Sequence, residues 1–113
     1  MEQMGRRPKS QVHHSPKALQ VLKTLGLHIQ VARKRRKISI RDMAQRMMAS
    51  PTTVLKLEAG YPGVSLGAMA AALMVLGLHR RIETLIAPES DAQGLAEEQK
   101  KLPKRIRTAK YDF

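Results

Sequence analysis

The chain has 113 residues, 42% of them hydrophobic, and its 21 Lys or Arg against 9 Asp or Glu give a formal charge of +12. That length allows one small domain. With only Phe113, Tyr61 and Tyr111 as aromatics and no cysteine, the core must be aliphatic, and disulfide or thiolate chemistry is excluded. The charge is unevenly placed: residues 1–60 carry 13 basic against 3 acidic side chains, 61–99 carry 2 against 5, and 100–113 carry 6 against 1. A basic front half with a sequence pI near 10.8 is the electrostatic footprint of a polyanion binder, and nucleic acid is the expected partner.

The opening stretch, residues 1–14, is polar and basic without periodicity and reads as a disordered basic arm. It has no apolar region of the kind a signal peptide needs. His13-His14 has no companion ligand cluster, so a metal site is not expected. Ser15-Pro16 then gives a cap followed by proline at the first helical position, and Leu22, Leu25, Ile29 and Ala32 recur at helical spacing. The spacing predicts a first helix over 16–36. Its end, RKRRK at 33–37, sets cations at the negative pole of the helix.

Ser39 caps a second helix from about Ile40, with Asp42 adding a carboxylate to its first turn. Ser50 and Pro51 repeat the start signal for a third helix, and Gly60 ends it as an expected left-handed terminator before Tyr61-Pro62-Gly63. Isolated helices under ~12 residues are marginal in water, so both need tertiary support. Ser65 caps a fourth helix, LGAMAAALMVLG, with Leu66, Met69, Leu73 and Leu76 on one stripe. Ala71, Met74, Val75 and Leu78 make its remaining surface apolar, a reason to take these four as the candidate dimer contact. The longest apolar run, Leu66 to Leu78, is short of the ~18 to 20 residues of a membrane span. Gly77 stops this helix and RRIETLI forms a fifth, ending before Pro88. Residues 89–113 read as a mobile basic tail, with one turn of helix possible in LAEEQKKL before Pro103. No repeat and no strand-like alternation is present, and the expected fold is all-α with five helices.

Ala44, Val54 and Leu57 allow the two short helices to cross tightly, as in a helix-turn-helix whose first helix braces the second in the major groove. KISIRDMAQRMMASPTTVLKLEAG resembles the helix-turn-helix of the Cro and phage-repressor family, the XRE type, and LGLHIQVARKRR is similar to that family's first helix. GVSLGAMAAALMVLGL and GLAEEQKKLPKRIR resemble the HipB-like branch, whose members accompany kinase toxins. The resemblance covers about residues 16–107.

It implies a lambda-repressor-like domain over 15–88, with the helix-turn-helix at 39–60 and flexible basic tails on either side. Met43, Ala44, Met47, Val54 and Leu57 match its buried positions, completed by Leu25, Ile29, Ile38, Leu66, Met69 and Leu73. Arg33 and Glu58 match a buried salt bridge. Ser50, Pro51, Thr52, Thr53 and Lys56 match positions facing the groove, where Thr can meet base edges or a thymine methyl and Lys can reach guanine. Arg35, Lys37, Arg41 and Arg46 are candidates for phosphate contacts, which position the protein without reading sequence. Three residues depart from the family: Ile40 replaces a phosphate-clamping glutamine, Met48 replaces the glycine of the turn, and Leu55 is apolar where relatives are often polar.

The function this resemblance implies is a homodimeric, sequence-specific regulator on a palindromic operator of double-stranded DNA, an autorepressor of a HipBA-like toxin–antitoxin operon. An alternative is an antitoxin whose main task is holding a HipA-like kinase. Non-specific nucleic-acid binding is disfavoured by the lack of stacking aromatics. The four His and nine scattered acids suggest no acid–base pair or metal set, so neither an enzyme nor a cofactor is expected. The expected location is the cytoplasm, at the nucleoid.

Overall fold

A computed structural model describes residues 15–101. The fold is all-α. Among the described residues there are six α-helices and no strand: α1 (Pro16–Arg35), α2 (Ile40–Met47), α3 (Pro51–Glu58), α4 (Leu66–Leu76), α5 (His79–Glu83) and α6 (Ala92–Lys101). The expected basic arm at 1–14 and the tail beyond 101 lie outside the described residues.

Serine sets four of the helix starts. Ser15, Ser39, Ser50 and Ser65 are all extended, and their Oγ atoms accept from the N–H of Ala18, Asp42, Thr53 and Ala68 at 3.0–3.1 Å. Each satisfies one orphan first-turn donor, at about 1 kcal/mol per cap. The helix ends are set by left-handed residues. Gly77 ends α4 at φ +76°, and Gly60 follows α3 at φ +80°. Met48 ends α2 at φ +57°, the strained conformation anticipated where a glycine is replaced. Lys37, just after α1, also adopts φ +57°.

The chain divides into two compact units between Ile82 and Glu83, earlier than the expected limit at residue 88. In the first unit, α2 packs on α3 and α4, and α1 packs on α3 and α4. Ile29, Ile38, Met43, Ala44, Met47, Val54, Leu57, Ala72 and Leu76 form the core, with Met43 and Val54 fully enclosed. Two glycines allow α1 and α3 to meet backbone to backbone. A Cβ on Gly26 would lie 2.5 Å from the Glu58 carbonyl oxygen, and one on Gly60 would lie 2.6 Å from the Lys23 Cα. Neither neighbour can move aside as a side chain would.

The inward face of α4 differs from the stripe expected from its sequence. Leu66 is 75% exposed, Met69 and Leu73 are half-buried against the core, and Ala72 is fully buried instead. An all-apolar helix has no polar face to fix its rotation, so packing against α1 and α2 decides which side turns in. Leu25, also expected in the core, is half-buried.

The fifth helix is shorter than RRIETLI, because Leu85 and Ile86 beyond Glu83 are exposed and bury no face. In the second unit a 3-10 turn at Pro88–Ser90 leads into α6, and the Gly94 N–H donates to Asp91 Oδ1 at 2.9 Å. Within the stretch read as a tail from residue 89, residues Ala92–Lys101 form α6. Asp91 supplies a cap inside PESDAQG, and the helix is longer than the single turn anticipated. No described helix is long and apolar enough to cross a membrane.

Candidate functional site

The site is built around α3, an eight-residue helix that cannot hold its own position. Its inward residues Val54 and Leu57 enter the core, and its last residue is tied to α1 by a buried ion pair. Arg33 Nε donates to Glu58 Oε2 at 2.6 Å and Arg33 Nη2 donates to Glu58 Oε1 at 3.1 Å. Arg33 Nη1 donates to the Ile38 carbonyl at 2.8 Å. One guanidinium thus fastens α1, the loop before α2 and the end of α3. Both partners are buried, so losing either leaves an unpaired interior charge costing ~3–5 kcal/mol.

With Val54 and Leu57 inward, Pro51, Thr52, Leu55 and Lys56 face outward and are exposed. The five residues assigned to base contact from the sequence separate into two groups. Ser50 and Thr53 are occupied by the cap: Ser50 Oγ accepts from the Thr53 N–H at 3.1 Å and shares a hydrogen bond with Thr53 Oγ1 at 3.0 Å. Pro51, Thr52 and Lys56 have no such duty. Lys56 Nζ stands 5.4 Å from the centroid of the Tyr61 ring, which the chain brings back after the Gly60 turn. A cation over a ring face gains ~0.5–1 kcal/mol at an exposed site and narrows the range of a long side chain. Sequence reasoning missed this contact. Its only signal was an aromatic directly after a left-handed glycine. Thr53, Lys56, Tyr61 and Ser65 line an open concavity that runs from α3 to the start of α4.

The candidate phosphate contacts also divide. Arg41 and Lys37 are exposed. Arg46 spends two donors on Asp42, at 3.3 and 3.0 Å, in an exposed pair one helical turn apart. Arg35 is elsewhere. It lies two residues after Arg33, a rotation of roughly 200° about the helix axis, so it turns away from the side of α1 that holds α3.

Of the four residues assigned to a dimer contact, only Met74 is exposed, at 61%. Ala71 and Val75 of α4, turned inward by its rotation, and Leu78 just after it are half-buried against this chain's own core. Leu66, at the start of α4, is also exposed. Ile40 packs against the core at the start of α2. Leu55 is 55% exposed. Among the described residues, no group of His, Cys, Asp or Glu is arranged to hold a metal ion.

No family model matches the chain, and neither curated proteins nor solved structures yield a match. The residues and their geometry therefore carry the functional reading.

Proposed function

We propose that the protein is a dimeric, sequence-specific DNA-binding transcriptional regulator, with α2 and α3 as its helix-turn-helix. The observation that carries this reading is the contrast within α3: one end is locked by the buried Arg33–Glu58 pair, while Pro51, Thr52 and Lys56 are left outward at the other faces. A helix of eight residues with so little of its surface in the core is better suited to contact than to scaffold. The α2 helix serves as brace. Its Met43, Ala44 and Met47 are buried, and Arg41 is exposed for a phosphate.

In the major groove, Thr52 offers a hydroxyl and a methyl to base edges, and Lys56 reaches guanine O6 and N7. Tyr61 holds Lys56 near that position. One unit of this size reads too few bases to select a genomic site, so two copies on half-sites ~10 bp apart are required. The exposed Leu66 and Met74 of α4 are the apolar surface available for pairing. Within this reading the protein is an autorepressor of a HipBA-like operon.

The experiment is a footprint on the DNA upstream of its own gene, comparing Thr52→Ala and Lys56→Ala with Arg41→Ala. The first two relax base preference, by ~1–3 kcal/mol per lost contact, while Arg41→Ala weakens binding to all sequences alike and lowers the salt slope by ~0.9. An identical loss from all three contradicts the roles assigned. A toxin-binding reading is favoured by one feature, the exposed Leu85, Ile86 and Leu95 of the second unit. Capture of the neighbouring gene's product by the wild type, lost on Leu85→Asp and Ile86→Asp, is its test.

A further inference from the structure

The C-terminal half of α1 carries a second cationic feature, separate from the outward face of α3. His28 and Arg35 of α1, Arg36 just after it and Arg81 of α5 line one open concavity of about 380 Å³, with Ala32 and Leu78 as apolar walls. No carboxylate lines it. His28 and Arg35 are seven residues apart, two turns of helix, so they project from one face of α1. That face is turned roughly 200° from Arg33 and the α3 contact.

The cations are held differently. Arg36 Nη1 donates to the Ala32 carbonyl at 2.8 Å, which draws its guanidinium along the helix. The Arg35 guanidinium has no hydrogen bond or ion pair among the described residues. The adjacent guanidinium groups of Arg35 and Arg36 repel one another and focus a positive potential into the cleft. A multivalent anion relieves that repulsion, and guanidinium forks match phosphate oxygens two at a time. The volume exceeds what a single monovalent ion fills and lies at the lower end of small-ligand sites. Its openness to solvent and its lining arginines suit a short chain of phosphates better than an apolar molecule.

We infer that this concavity is a binding site for a compact phosphate-bearing anion. Two sources share that chemistry, a free polyphosphorylated small molecule and the backbone of a nucleic acid. The test is calorimetric titration of the full chain with inorganic tripolyphosphate at fixed moderate salt. Saturable one-site binding is expected, with Arg35→Ala weakening it about tenfold, the loss of ~1.4 kcal/mol of charge-assisted hydrogen bonding. Lys34→Ala removes an equal charge that points roughly 100° off the face, and it leaves the affinity within about twofold. Circular dichroism of both variants controls for folding; Arg35 and Lys34 are exposed.

Absence of saturable binding, or equal weakening by Arg35→Ala and Lys34→Ala, overturns the site, the latter because it reports diffuse charge. Duplex DNA added in a second arm separates the sources. If the ligand is a free anion, Arg35→Ala binds duplex as the wild type does and tripolyphosphate does not compete. If it is a nucleic-acid backbone, Arg35→Ala weakens duplex binding and tripolyphosphate displaces the duplex. The titration without DNA stands whether or not α3 reads a sequence.

Discussion

Met48 offers the sharpest test of how the turn between α2 and α3 is built. It adopts φ +57°, ψ +43°, and its side chain is 93% exposed, so it contributes conformation and almost no packing. A non-glycine residue in the left-handed region costs ~1–2 kcal/mol. Replacing it with glycine removes that cost, but the more flexible unfolded chain returns ~0.4–1 kcal/mol. Met48→Gly is therefore expected to stabilise the protein by about 0.5–1 kcal/mol, the difference between those terms. In a domain of this size that raises Tm by roughly 2–8 °C. Met48→Ala keeps a Cβ in the same conformation and is expected to stay within about 0.5 kcal/mol of wild type. Thermal and urea unfolding of the three proteins decide it. A glycine variant less stable than wild type, or an alanine variant equally stabilised, would refute the claim that strain is stored at this turn.

The buried ion pair gives the opposite sign: Arg33→Ala loses ~3–5 kcal/mol by urea unfolding, and Arg33→Met with Glu58→Leu recovers part of the loss because no charge is then stranded. Gly26→Ala is expected to destabilise by ~1–3 kcal/mol or more, since its Cβ would meet the backbone of α3 at 2.5 Å, and retention of wild-type Tm would mean α1 and α3 are not so close. Ser65→Ala removes the cap of α4 and costs about 1 kcal/mol, measured by the same unfolding curves. Tyr61→Ala frees Lys56 and is expected to lower DNA affinity while leaving Tm near wild type, with Tyr61→Phe retaining affinity, because the ring face holds the ammonium.

Much of the fold was legible because it rests on local chemistry. Ser15, Ser39, Ser50 and Ser65 are caps whose partners lie three residues on, and Pro16 and Pro51 strengthen two of them. Gly60 and Gly77 mark ends by the one property sequence displays directly, tolerance of positive φ. What was not legible depended on rotation or on contacts across space. The α4 helix is apolar on every side, so its sequence could not say that Ala72 is inward while Leu66 is outward. Lys37 turns left-handed without a glycine or asparagine to announce it. Asp91 was hidden among the breakers of PESDAQG, and α6 was underestimated accordingly.

The candidate site shows the same division. The Arg33–Glu58 pair was anticipated by resemblance and is formed with bidentate geometry. Ser50 and Thr53 have residue types suited to bases, and Ser50 Oγ also caps α3 by accepting from the Thr53 N–H while sharing a hydrogen bond with Thr53 Oγ1. Arg35 was grouped with Lys37, Arg41 and Arg46 as a phosphate contact, but it lies on a side of α1 turned away from the one that holds α3.

The central claim is that the outward face of α3 reads a DNA sequence. Its most direct measurement is selection of bound sequences from a random duplex pool, with wild type, Thr52→Ala and Lys56→Ala in parallel. The account predicts an enriched palindrome with half-sites ~10 bp apart, and loss of preference at one position in each half-site for each variant. A pool that shows no enriched sequence, or the same enriched sequence unchanged by both substitutions, would contradict it.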